Sequence, residues 1–580
     1  MRCWSSATLI ALMLAPSSPL VAAAYEVAQH HPQASDDGPG SAETPWRTIA
    51  RAARTALAGD VVIIHSGMYR ERVVVKASGT AGVPIRFEAA AGEHVVLTGA
   101  DRLTNWRQAD PQQPVYAAAW PHRFIGWNPQ MTHPADEYHR VIGRCEQVVV
   151  DGYLLRQVID RSHLAPGSFF VDVTNKILLV WDGGNRDLNK VHVEASARQE
   201  VLRVEGAYVH VRGLRFRHAA NMAQHGAVVL AGHHGTLEDC VIESMNACGA
   251  SFLGEDASIR RCVFRDNGQL GFGARRAHRL LITESVVENN NIKGFDRGWE
   301  AGGNKLVLCR DAVLERSRFL RNRGSGIWFD IGNTNATVRH CLIAENEDAG
   351  LFYEISFRLH AHDNVLVGNG FAQTAGAWGA QAGISISSSP GCVIERNLIF
   401  GNREGFNFRE QLRTTPTLED PVERPVWNHD EVIRHNLIVR NRDAQVWGWF
   451  DVKDNRHWPA DGRASVPPAA TIAEAIVGAA GQPKGLTLEQ LRLHFEANVY
   501  FAAPGQGWFK WGPSWSRHKS YADLGTFQAD LRIDTKSRAL EPAFADVGGT
   551  DYRVDAETLA LLADCYPRGP VPGVLLGLKP

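Results

Sequence analysis

Asp330 and Glu354 each close a short apolar run that begins on glycine, Gly326-Ile327-Trp328-Phe329-Asp330 and Gly350-Leu351-Phe352-Tyr353-Glu354. Two later runs share the pattern, Gly383-Ile384-Ser385-Ile386-Ser387 and Gly405-Phe406-Asn407-Phe408-Arg409. Read as strands, they alternate so that Ile327, Leu351, Ile384 and Phe406, with Phe329, Tyr353, Ile386 and Phe408, point into a core. Two columns then face outward, Trp328-Phe352-Ser385-Asn407 and Asp330-Glu354-Ser387-Arg409. Stacked strands lie about 4.8 Å apart, so Asp330 and Glu354 become neighbours on one surface. Like charges at that range repel, which lifts one pKa and leaves the other group ionised. A pair split in this way can divide general-acid work from nucleophilic attack. Spacing near 5 Å suits displacement at an anomeric carbon with retention, whereas roughly 6.5–9.5 Å would admit an attacking water between the carboxyls.

Such a pair needs a scaffold that returns the chain one strand spacing above its start, and the sequence carries the repeat for it. A phrase of one small or amide residue, two apolar residues, two variable positions and Asn recurs, as in Cys341-Leu342-Ile343-Ala344-Glu345-Asn346. Its closing residue falls at Asn267, Asn290, Asn322, Asn346, Asn369, Asn402 and Asn441, with separations of 23, 32, 24, 23, 33 and 39. A period near 23 with occasional excess predicts a coiled parallel β-solenoid whose longer windings carry loops. The Asn column is expected to bond along the stack. Cys240, Cys262 and Cys341 share one phase with Ser285, Ser317, Asn364, Asn397 and Asn436, which predicts a second ladder and free thiols. The excess residues, Asn291–Lys305, Phe371–Ala382 with Trp378 and Glu410–Asp430 with Trp427, fall around the same strands and are expected to wall a pocket and offer aromatic faces.

The 580 residues carry 61 basic and 63 acidic side chains, a balance that favours neither nucleic acid nor an anionic membrane as partner. Residues 1–24 have the form of a secretory leader, ending on Ala22-Ala23-Ala24, so a secreted or periplasmic protein is expected. Residues 25–100 are expected to hold a cap and the first coils, with a short helix burying Ile49, Ala52 and Ala53 over the open end. The repeat vanishes over 101–196, where strand-like runs such as Lys176–Trp181 predict an inserted β-rich, sandwich-like domain. The main helix with the reactive coils spans 197–451. An insertion, a helix over Leu486–Glu496, the last coils and a tail occupy 452–580.

Trp299-Glu300-Ala301-Gly302-Gly303-Asn304-Lys305, Gly326 to Asn333 and Gly350 to Ser356 resemble the secreted right-handed parallel β-helix glycosidases, in particular the β-xylosidases of glycoside hydrolase family 120. The likeness extends to Arg144–Gly152 in the insertion. It implies an all-β right-handed parallel β-helix, an Asp nucleophile at Asp330 and a Glu acid/base at Glu354 on adjacent coils. It also implies a substrate-contacting acid at Glu300.

A carbohydrate substrate is therefore expected, with Glu300, Trp328, Trp299, Lys305, Asn333, Phe352 and Arg409 as its binding residues. No cofactor is expected, and the histidines show no metal-ligand spacing. Two other functions compete. A polysaccharide lyase would need a base such as Lys305 and an Arg or metal to neutralise a uronate, and the expected calcium-binding Asp cluster is missing. A non-catalytic carbohydrate-binding protein would have no use for stacked acids.

Overall fold

The computed structural model describes residues 22–126, 143–184, 186–373, 381–451, 456–461, 463, 476–477, 483–513, 519–544 and 554–563. The expected leader, apart from Ala22–Ala24, lies outside these residues, as does Trp378. Three sheets of 13 strands run the length of the molecule, and their pairing is parallel except at the final strand of one of them. Each winding contributes one strand to each sheet, which makes the body a parallel β-helix. Strands of two to seven residues suffice because all but those at the sheet ends are hydrogen-bonded on both sides by the windings above and below.

The inward residues are those that alternation selects. Ile327, Leu351, Ile384 and Phe406, with Phe329, Tyr353, Ile386 and Phe408, are fully buried in one continuous core. Burying each such side chain contributes about 1.5–3 kcal/mol, a gain repeated at every winding. Corners are held by side-chain ladders. The Asn267 amide donates to Asn290 Oδ1 at 2.9 Å, Asn290 to Asn322 at 2.9 Å, and the series runs on to Asn441, which ends on Gln445. The glycine opening each site strand leaves room for this ladder: a Cβ on Gly326 would lie 2.6 Å from Asn346 Nδ2. The Cys/Ser/Asn ladder forms as the spacing predicts, with Cys262 N on Ser285 Oγ at 3.1 Å and Cys341 N on Asn364 Oδ1 at 3.0 Å. The cysteines among the described residues are free and buried.

A third ladder was not legible in the spacing. Cys309 N donates to Asn333 Oδ1 (3.0 Å), Asn333 N to Ser356 Oγ (3.2 Å), Ser356 N to Ser389 Oγ (3.1 Å) and Ser389 N to Asn428 Oδ1 (2.7 Å). It closes the corner that follows the strands ending in Asp330 and Glu354. Next to it, Glu431 accepts from Cys392 N at 3.0 Å while fully buried. Burial lifts its carboxyl well above the ordinary 4.5, against the pull of that hydrogen bond. An acid raised in the folded state stabilises fully only below its unfolded pKa, and that contribution is lost as pH rises toward the folded value. Glu431→Gln should therefore melt increasingly above the parent as pH climbs from about 4.5, by about 1.4 kcal/mol per pH unit until the folded pKa is reached. Parallel thermal or urea melts across pH 4–8 measure this, and a pH-independent difference would contradict it.

The ends are capped. The helix Ile49–Thr55 buries Ile49, Ala52 and Ala53 against Val73–Val75, the first strand of the sheet that carries the reactive coils. At the far end Phe527, from the helix Leu524–Leu531, stacks on Phe509 at 4.4 Å. The helix expected over Leu486–Glu496 is a single turn, Leu488–Leu491. Arg492 adopts φ 50° and ends it, and His494–Glu496 pairs with Val432–Arg434 because Phe495 alternates into the core. The described residues of 100–196 form a four-stranded and a five-stranded sheet around a separate core of Trp106, Trp120, Val148, Phe169, Leu178 and Val193. No described helix is long and apolar enough to cross a membrane.

Candidate active site

The strands Gly302–Val307, Ile327–Asp330, Leu351–Glu354, Ala382–Ser387 and Glu404–Glu410 lie side by side in one sheet. Register pairs Trp328 with Phe352, Phe352 with Ser385 and Ser385 with Asn407. In the next column Val307 pairs with Asp330, and Glu354 with Ser387 and then Arg409. The Ile327–Phe329 register, carried on by one residue, sets Asp330 against Glu354 on the next winding.

The outward face that carries the pair is covered. Asp330 is 7% exposed and Glu354 2%. An antiparallel hairpin, Arg413–Thr415 with Arg424–Val426, folds over this part of the sheet. It is the excess between Asn402 and Asn441. Alternation identifies which face a residue takes, but not what a distant loop lays on that face. Gly332 lets the hairpin dock: a Cβ there would sit 2.4 Å from the Pro416 carbonyl oxygen, and its φ of 65° already suits glycine. Docking brings Arg413 Nη1 to 2.5 Å from Glu354 Oε1. The sequence marked this loop as a wall and gave no sign that Arg413 would reach the acid.

Lys305 is the hub of the pair's other side. Its ammonium lies 2.9 Å from Asp330 Oδ2, 3.1 Å from Glu300 Oε1 and 4.2 Å from the centre of the Trp328 ring. Burial pushes its pKa down, but the carboxylates of Asp330 and Glu300 outweigh that and raise it, so Lys305 stays charged. Glu354 moves upward too, first through burial and then through Asp330, while Arg413 and Lys305 pull it down. Arg409 is buried on the far side of Ser387, 3.7 Å from Asp451, and desolvation lowers it to about 10.

Four expected roles change. Trp328 does not offer a ring face, because Lys305 covers one side and Phe352 stacks on the other with centroids 5.4 Å apart. It presents its edge, with a buried indole N–H that has no partner among the described residues. Phe352 is buried beneath it with Ala349. Asn333 is spent on its own corner, donating to Asp330 O at 2.8 Å and Leu306 O at 3.0 Å while its oxygen serves the third ladder. Trp299 packs on Phe295 in a small cluster with Ala223 and Ala301, separate from the one that contains Trp328. Spacing could not foresee these outcomes, since each depends on which neighbour reaches the side chain first.

Other polar groups surround the pair. Asp330 Oδ1 and Ser387 Oγ are buried without partners among the described residues. A buried polar atom left in this state costs about 1–3 kcal/mol, so Asp330 Oδ1, whose residue lines a cavity, is a place for a ligand to bond. Two more acids flank the outward Trp328 column. Glu404 accepts from Asn407 Nδ2 at 2.7 Å and is pushed up to about 7 by burial. Asp348, next to Ala349, is pushed up to about 6 by burial against the pull of Arg297. A cavity of about 410 Å³ opens in front of Asp330, lined by Ile331, Ile355, Leu412, Arg413, Thr414, Pro416 and Glu423. A larger one of about 560 Å³ lies between the inserted sheets and the helix, but its single acid, Glu200, is already paired with Arg72 and Arg203. The larger cavity is also lined by His122 and His225, whereas the smaller one holds Asp330 of the stacked pair. No group of three or more metal-ligating side chains occurs among the described residues.

Residues 225–381 match the family model described as a right handed beta helix region. The solved structure described as the complex of XylC with xylose is 18% identical, covers 91% of this chain and 88% of its own, and superposes with a TM-score of 0.63. The chain is a right-handed parallel β-helix. A second solved structure, described as a glycoside hydrolase, is 13% identical and covers 65% of this chain and 94% of its own, with a TM-score of 0.45. The uncharacterized protein YwoF of Bacillus subtilis (strain 168) is 46% identical over 68 residues, 12% of this chain. That match spans 14% of YwoF's length.

Proposed function

We propose that this β-helix is a glycoside hydrolase acting with retention of configuration on a β-xyloside-like bond, with Asp330 as nucleophile and Glu354 as acid/base. One observation carries the reading: two stacked carboxyls, of which Asp330 lines the 410 Å³ cavity, are buried in unlike surroundings. Asp330 is paired with a lysine held charged, while Glu354 is raised by burial and by Asp330 itself. That split assigns the proton to Glu354 and the attack to Asp330. In the first step Asp330 Oδ attacks the anomeric carbon as Glu354 gives its proton to the departing oxygen. In the second, Glu354 takes a proton from water, which displaces Asp330. Resemblance to the family 120 xylosidases and the xylose held by XylC support a pentose in the sugar position. Glu300 reaches the site through Lys305, 3.1 Å away, and would bond a sugar hydroxyl while helping to hold the lysine.

A lyase would need Lys305 neutral to abstract a proton, and its raised pKa opposes that role. The deciding test is a panel of 4-nitrophenyl glycosides, β-xyloside and α-fucoside included, with the first-formed anomer followed by NMR. Retention in the product supports the mechanism; an inverted product refutes retention, and an unsaturated sugar absorbing in the ultraviolet points to a lyase. Export is part of the same proposal, since the substrate would be extracellular polysaccharide or its fragments; mass spectrometry of the mature N-terminus checks cleavage before Tyr25.

Arg413 gives a prediction of definite sign. Its guanidinium lowers the Glu354 pKa, so Arg413→Ala should let the acid hold its proton to higher pH. The alkaline limb of kcat/KM, which reports the acid in the free enzyme, is expected to move upward. A pH profile of the variant measures the shift, and an unmoved or lowered limb would count against Glu354 as the acid.

A further inference from the structure

Every winding turns its corners through residues at positive φ, and at two of the three corners these are chiefly polar or charged. Asp239, Arg261, Glu284, Arg316, His340, Asp363, Arg396 and His435 precede one ladder, and Asp266, Asn289, Arg321, Glu345 and Arg440 precede another. At the third corner the position directly after the strand is Arg276 one winding before the reactive coils, then Leu308, Ile331, Ile355 and Ser388 along them, while Asp311, Asn335 and Arg358 take positive φ further round the same turns. Among the described residues, Ile331 (φ 59°) and Ile355 (φ 38°) are the only β-branched side chains at positive φ. This backbone region disfavours β-branched residues most strongly, and Asn occupies it with far less strain. The two follow Asp330 and Glu354 directly in sequence, and both line the 410 Å³ cavity.

We infer that Ile331 and Ile355 are positioning residues for the carboxyl pair, kept in a strained turn so that the corner beside Asp330 and Glu354 presents hydrocarbon where other corners present polar groups. The inference rests on the catalytic reading above. Backbone geometry alone would favour Asn or Asp here, so the strain must be balanced by what the side chains do. Ile355 is 5% exposed, next to an acid whose pKa is raised chiefly by burial. The groups facing Glu354 are Asp330 from the preceding winding, Lys305 two windings back, Arg409 two windings on, and Arg413 from the hairpin. Arg413 and Lys305 pull the acid toward ionisation and burial outweighs them, so hydrocarbon that excludes water is what allows it to keep a proton.

The test uses Ile331→Asn, Ile355→Asn and Ile355→Leu in the full chain, assayed on the 4-nitrophenyl glycoside that proves active. Ile331→Asn, at the less buried position, should raise the Tm while lowering kcat at least ten-fold. Ile355→Asn should lower kcat similarly and move the alkaline limb to lower pH, because water reaching Glu354 eases its ionisation. Ile355→Leu keeps the hydrocarbon without the β-branch and should recover most of that loss. Asn variants with kcat within two-fold of the parent and an unmoved limb overturn the inference, as does a Leu variant as slow as the Asn one. If Ile355→Asn does not fold, Ile331→Asn and Ile355→Leu decide by the same criteria. Asp330→Asn and Glu354→Gln run alongside: if these remain active the catalytic reading itself fails, whereas if they are dead and the isoleucine variants are unimpaired, only the present inference fails.

Discussion

Asp330→Asn should lower kcat on an activated aryl glycoside by on the order of ten-thousand-fold, the scale of loss when one member of a cooperating catalytic set is removed. That corresponds to about 5.5 kcal/mol of transition-state stabilisation. The amide is nearly isosteric with the carboxylate, so the fold should persist, but it cannot form the glycosyl ester that the first step requires. Lys305 would then keep only Glu300 as a charged partner, since Asp330 is its other ion pair. A 2-deoxy-2-fluoro glycosyl fluoride is the direct probe, because it slows the second step and accumulates the covalent adduct. Peptide mapping should place the added mass on Asp330 in the parent and nowhere in the variant. Label on Glu354 would reverse the assigned roles, and an active Asp330→Asn would end the mechanism.

Glu354→Gln should show its loss selectively. Removing a general acid costs about a hundred-fold to ten-thousand-fold where the leaving group needs a proton, as a second sugar does. A dinitrophenolate departs without one, so the first step on that substrate should stay near the parental rate. Azide should speed turnover of the variant, because it attacks without general-base help, and the glycosyl azide should keep the substrate's configuration. The alkaline limb of the pH profile should vanish with the titrating group. Equal loss on good and poor leaving groups would mean that Glu354 holds the site together without transferring a proton. Arg413, 2.5 Å from Glu354, makes that outcome worth separating from the catalytic one.

Periodicity worked where local chemistry determines geometry. The Asn column could be read because each winding must place one amide beneath the next, and the inward set could be read because strands alternate. It failed where a residue served a ladder with no visible period: Asn333 joins a corner of Cys309, Ser356, Ser389 and Asn428, whose mixed types and uneven spacing hid it. Alternation marks Trp328 as an outward aromatic near the acids, yet its faces are taken by Lys305 and Phe352, the residues on either side of it in its own column. Spacing predicts a longer helix than Leu488–Leu491 because an apolar spacing of three or four continues into a strand whose Phe495 serves the same core.

The sequence by itself determined the winding, the inward and outward faces, and the juxtaposition of Asp330 and Glu354, because a fixed strand spacing and a two-residue alternation follow from backbone geometry alone. Only the tertiary structure decided that the pair is buried, that Lys305 neutralises one member and that Arg413 arrives from a hairpin to hold the other. Those features depend on contacts between segments far apart in the chain, and burial together with charge is what separates two chemically similar carboxyls.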